Sequence, residues 1–311
     1  MTIKLFSALL LFVVFSTSLF AQNEVSATKA DFTAWFESVR KDQLTELPFK
    51  KYSKQSLKEL AAVAKGYQKD SVFEVRWQAA NVSYQLGAAQ NDKFLKQASA
   101  SLLLGFMYDP DNRIVNFASN VLLTSKGANF TASQKDTVAA IVTTVGNPNV
   151  AVNIYKLCGY LSLEKSIATL EAASTNRNYS FIQRWAALAS LTRMGNDVAE
   201  QKMFDFIKKT KVSLDAINTL YPYVLFSQSR TNVGYLISLI ENDEFECESS
   251  NPDYSAKVPC SYMILLVVGP HIANLNWKGK NGLEMLSSND ATIKAKEFFK
   301  KVEGNWSFIN N

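Results

Sequence analysis

Little in this sequence interrupts a helix. Only 12 glycines and 7 prolines are spread over 311 residues. So few turn formers exclude the closely spaced hairpins of an all-β fold. Histidine is nearly absent. His271 stands alone, so neither a three-histidine zinc centre nor paired-histidine chemistry can be built. With that one histidine, the three cysteines are too dispersed for a zinc site. There is no glycine-rich phosphate loop, no G-x-S-x-G elbow and no H-E-x-x-H. No cofactor and no metal are therefore expected. An excess of one charge is also missing: 33 Lys and Arg face 28 Asp and Glu. The lysine groups at Lys208, Lys209, Lys211 and at Lys294, Lys296, Lys300, Lys301 suit helix ends, where cations favour the dipole. No nucleic-acid partner is expected from so mild and scattered a charge.

Long apolar runs are confined to the first residues. "MTIKLFSALLLFVVFSTSLFAQ" has one lysine, an apolar stretch and then small residues before Ala21. It reads as a cleaved signal peptide, residues 1–21, of a secreted or periplasmic protein. Farther on, "YMILLVVG" is half the length of a membrane span and reads as a buried helix. Cys247 and Cys260 flank a polar loop with two prolines, which in an exported chain predicts a disulfide. Cys158, inside "IYKLCGYL", reads as a buried thiol.

What the chain has in quantity is helix, turn, helix. Capping boxes are expected at Thr28, Thr131 and Asp197. Asp109-Pro110 and Asn147-Pro148 are start signals. Gly87, Gly127 and Gly195 are expected stops. First helices are predicted at about 53–67, 92–107, 132–145, 163–174, 198–210 and 231–241, and second helices at about 72–86, 112–125, 150–161, 181–194 and 213–226. A lead-in helix is expected near 31–44, and a closing pair near 262–268 and 291–302.

One phrase is written twice: "DSVFEVRWQAANVSYQLG" from Asp70 and "NYSFIQRWAALASLTRMG" from Asn178. In the first, Val75, Ala79, Val82 and Leu86 share one face at helical spacing, while Trp77, Ala80 and Tyr84 lie nearly opposite. A helix apolar on two sides must be covered on two sides, as in a stack of repeats. These second helices resemble those of HEAT repeats, through Asp70, Val75, Arg76, Ala79, Ala80, Leu86, Gly87 and through Asn178, Arg184, Ala187, Leu188, Met194, Gly195. The likeness is clearest over 52–240, with an acidic disulfide loop at 241–261 and capping helices at 262–311. It implies an all-α fold, a right-handed α-solenoid of about six helix pairs forming a single domain over 22–311. It also implies ladders between repeats made by Arg76 and Arg184 with turn residues such as Asp70.

The expected function is a non-enzymatic scaffold that binds a protein partner on its concave face. The candidate contact residues are Trp77, Arg76, Tyr84, Trp185 and Arg184, since Trp and Arg favour interface anchors. Packing in the core is the competing role for both tryptophans, and the ladder for both arginines. A carbohydrate-active or other hydrolytic enzyme using paired carboxylates is the alternative, with a helical-repeat nucleic-acid binder behind it. The acidic run 241–253 is read as a solvated loop, with calcium binding as its competitor. Asn81-Val82-Ser83 matches a glycosylation sequon but falls in mid-helix, so the match is read as accidental.

Overall fold

The computed structural model describes residues 25–309 apart from 44, 90, 126, 243–244 and 248–256. The expected signal peptide and most of the acidic loop lie outside the described residues. What is described is helical except for a two-residue strand pair and isolated bridges. The chain divides into two compact units, Met1–Ser125 and Lys126–Asn311.

The first unit contains α1 (Lys29–Arg40), α2 (Lys54–Gly66), α3 (Phe73–Ala89), α4 (Lys93–Phe106) and α5 (Asn112–Thr124). Thr28 and Asp31 form the expected reciprocal capping box, each side chain bonding the other's backbone N–H. Helix α5 starts at Asn112 as predicted, but the Asp109-Pro110 signal does not supply its cap. Its cap is Asp111, whose carboxylate accepts from Arg113 N, because Asp109 is engaged elsewhere. Each helix packs on the next, and α1, α2 and α3 also pack on the next but one. Val75, Ala79, Val82 and Leu86 are all buried, as their spacing requires. Helix α3 does not stop at Gly87. A Cβ there would meet Ser99 Oγ at 2.8 Å, so this glycine serves the close approach of α4.

The second unit contains α6 (Ala132–Ile141), α7 (Pro148–Tyr160), α8 (Ile167–Thr175), α9 (Phe181–Arg193), α10 (Asp197–Lys209), α11 (Leu214–Thr219), α12 (Tyr221–Ser227), α13 (Arg230–Asn242), α14 (Cys260–Val268) and α15 (Ser288–Val302). Thr131 with Gln134 makes the expected box, and Asn147 caps α7 with Pro148 at its first position. The cap of α10 is Asn196 rather than Asp197, its side chain accepting from Ala199 N. Gly195 adopts φ +85° and ends α9 as expected. The helix expected over 213–226 is broken at Leu220, because Pro222 in the first turn of α12 has no N–H to continue the ladder. Helix α9 packs on α7, α8, α10 and α12. Its approach to α7 is close: a Cβ on Gly159 would lie 2.7 Å from Ser190 Cα.

One apolar cluster runs from Trp185 and Met203 through Tyr221, Val233, Leu236, Ile264 and Leu265 to Phe299 and Trp306. The "YMILLVVG" stretch is the buried helix α14, and no helix among the described residues is long and apolar enough to cross a membrane. Strands β1 (Glu246–Cys247) and β2 (Val258–Pro259) pair antiparallel. The predicted Cys247–Cys260 disulfide is present beside them, and Cys158 is a buried free thiol. Closing a loop of this length stabilises by about 3 kcal/mol.

Candidate binding face on the third helix

Helix α3 presents an aromatic stripe that its neighbours cover only in part. The Phe73 and Trp77 rings stack, with centroids 6.1 Å apart and planes 24° from parallel. Phe117 on α5 packs against Trp77 at 5.2 Å and meets Tyr84 edge-on at 6.3 Å. Arg113 caps the stripe, its guanidinium carbon 4.0 Å from the Phe73 ring centroid. The same guanidinium forks onto Asp111, Nη2 to Oδ2 at 2.7 Å. That contact and the Arg113 backbone N–H hold the Asp111 carboxyl down at about 2. Tyr84 is 42% exposed and Trp77 half-buried, so the second apolar side of α3 is not closed over as the periodicity implies. The reason is that α5 brings to it one ring, Phe117. Rings already packed against one another, with an arginine held in place beside them, lose little entropy when a partner lands on them.

Arg76 does not share this face. It lies 8% exposed and points the other way, donating from Nε to Asp109 Oδ2 at 2.8 Å and from Nη1 to the Asp70 carbonyl at 2.8 Å. Asp70 in turn receives Arg40, Nη1 to Oδ1 at 3.0 Å. The first unit therefore carries a ladder. The arginine of one helix reaches the aspartate of the following turn, and each aspartate also accepts a backbone N–H two residues on. The carboxylate partner of Arg76 is Asp109, not Asp70. Arg76 is a buried structural residue and offers no contact to a partner.

The second copy of the phrase is used differently. Trp185 is 3% exposed, and its Nε1 donates to Leu220 O at 3.3 Å. Phe181 and Phe206 flank its ring at 5.9 and 5.1 Å and are themselves partly exposed. Trp185 is thus a core residue. Arg184 donates from Nη1 to Tyr179 O at 3.3 Å and has no ion pair among the described residues. Where Arg76 has Asp109, 33 residues on, Arg184 has Ile217, and Asn178, the counterpart of Asp70, is exposed.

Sequence reasoning passed over Phe73, Phe117 and Arg113, which complete the stripe. Phe73 stands four residues before Trp77, a spacing that puts both on one helix face. It also passed over a group on α7, α9 and α12. Lys156 Nζ lies 5.5 Å from the Tyr223 centroid and 5.3 Å from that of Phe226. Arg193 lies over Tyr160 and Phe226, and its Nη1 donates to Phe226 O at 2.6 Å. Burial pushes the pKa values of both cations down. Among the described residues no carboxylate pairs with either of them.

His271 ends a 3-10 turn, Gly269–His271, and is exposed there. No group of three or more His, Cys, Asp or Glu among the described residues is arranged to hold a metal ion. Neither the models of known protein families nor the curated proteins contain a match to the chain.

Proposed function

We propose that the protein is an exported, non-enzymatic scaffold that binds a protein partner through the second-helix face bearing Trp77, Tyr84 and Phe117. In this reading the helix pairs form a right-handed α-solenoid of about six units resembling HEAT repeats, and the stripe lies on its concave side. The observation that carries it is the stripe itself: four rings and Arg113 left partly open to solvent, in residue types enriched at binding interfaces. Contacts of α1, α2 and α3 with the next helix but one suit stacked pairs. The apolar N-terminal run and the Cys247–Cys260 disulfide suit export.

The test is an affinity pull-down from native envelope extract with residues 22–311 as bait, beside the Trp77→Ala/Tyr84→Ala variant. Both side chains are partly exposed, so the variant is expected to keep its helical circular dichroism. The expected result is a protein retained by the wild type and lost, by about tenfold or more, from the folded variant. A partner held equally by both moves the interface off α3, and no partner for either overturns the scaffold reading.

A further inference from the structure

A cavity of about 690 Å³ lies on another flank of α3, walled by the segment 45–51 and by Trp35 of α1. That is the size range of small-ligand sites. Its α3 side is made by Gln78, Asn81 and Gln85. At i, i+3 and i+7 these amides share one helix face, adjoining the one that carries Trp77 and Tyr84. All three are half-buried, and none makes a side-chain hydrogen bond within the described residues. Each amide has two N–H donors and a carbonyl with two lone pairs. The three amides are open to solvent in the cavity, so their donors and acceptors are free for a ligand.

The opposite wall is aromatic and apolar. Trp35 Nε1 donates to Thr45 O at 2.7 Å, so the indole N–H is already used. What Trp35 offers the cavity is an apolar ring, kept in place by its edge-on contact with Phe36 at 4.9 Å. Leu47, Pro48 and Phe49 continue that wall. The wall is tied down at its far end, where Val25 N donates to Lys51 O at 2.7 Å and Ser53 N to Val25 O at 3.2 Å. The charged groups of the segment, Glu46, Lys50 and Lys51, are all exposed and of both signs, while the amide side is neutral.

We propose that this cavity binds a short uncharged oligosaccharide. A sugar ring has an apolar C–H face and a rim of hydroxyls that each donate and accept. The first matches the Trp35 indole and the second matches amides that also do both. A purely apolar ligand would leave the amides unsatisfied. The site goes beyond the protein-binding reading and does not rest on it, because Trp77 and Tyr84 are not among its lining residues.

Isothermal titration calorimetry of the folded protein with maltotriose, cellotriose and N-acetylchitotriose tests this. At least one is expected to bind with a Kd of about 1 mM or tighter. The Gln78→Leu/Gln85→Leu variant is expected to weaken it at least about tenfold. Asn81→Ala, which removes a side chain with no protein partner, decides the same point if the leucine pair fails to fold. No heat with any of the three sugars, or equal affinity in the amide variants, overturns the proposal.

Discussion

Arg76 in the first unit and Arg184 in the second occupy the same place in a repeated phrase, yet only Arg76 meets a carboxylate. The tryptophans that follow them differ as well: Trp185 is 3% exposed and Trp77 is half-buried. The two units solve one packing problem by different chemistry. In the first, cations of the helix pairs are neutralised by acids of the next turn, in the pairs Arg40–Asp70, Lys54–Asp92 and Arg76–Asp109. Among the described residues the second has one such pair, Lys165–Asp136, and adds two cations, Lys156 and Arg193, that lie over Tyr160, Tyr223 and Phe226. A fork onto a carboxylate fixes direction and register. A ring face accepts a cation over a wider range of positions, with less energy to offset its desolvation. The first unit leaves its apolar stripe partly open. The second buries its tryptophan and relies on a larger core.

The largest expected effect breaks the comparison if it fails. Trp185→Ala is expected to cost about 3–5 kcal/mol, as other emptied aromatic core sites do. Trp77→Ala should cost less than Trp185→Ala, since its ring is less completely buried. Urea unfolding of the two variants measures both, and equal losses would mean that the repeated phrase packs alike in both units.

A second substitution sharpens the contrast between the turns. Asp109→Ala strands Arg76, whose side chain is 10% exposed, and is expected to cost about 3 kcal/mol. Asn178→Ala, at the place that Asp70 holds in the first copy of the phrase, should stay within about 0.5 kcal/mol because that side chain is exposed. Thermal melts of the pair separate a ladder that bears stability from one that merely accompanies the fold.

The smallest effect at neutral pH is expected for Cys158, a residue type the described part of the first unit lacks. Burial pushes its thiol up to about 12, Ser166 opposing only in part. An unfolded cysteine ionises near 8.5. The folded state thus keeps its proton while the unfolded state loses one. The resulting contribution to stability is full below about 8.5 and is lost as pH rises towards about 12. Cys158→Ala should flatten that alkaline decline. In the wild type, iodoacetamide at pH 8 should label Cys158 only after denaturant is added. Rapid labelling of the native protein would show that α7 and α9 do not seal the thiol.

Local sequence marked most elements to within a few residues. Thr28, Thr131 and Asn147 announced their helices because a cap acts on N–H groups two or three residues away. The disulfide was legible because few other roles suit two cysteines flanking a polar loop. The misplacements came from competition in space. Asp109 looked like the start of a helix, but Arg76 claims it. Gly87 looked like a stop, but Ser99 needs the room. The recognition candidates were divided for the same reason. Trp77 and Tyr84 remain accessible, while Arg76 and Trp185 are enclosed. No spacing within one helix states which of its two apolar faces a neighbour will cover.

By itself the sequence determined the helical class, the order of the helices, the caps and the buried side of α3. These depend on periodicity and on hydrogen bonds that span a few residues. Tertiary structure alone decided that Arg76 pairs with Asp109, that Trp185 is sealed where Trp77 is half open, and that three amides of α3 face Trp35 across a cavity. Those outcomes depend on which helix approaches which face and how closely. Such approaches are set by groups 30 or more positions apart in the chain, as in Arg40–Asp70 and Arg76–Asp109.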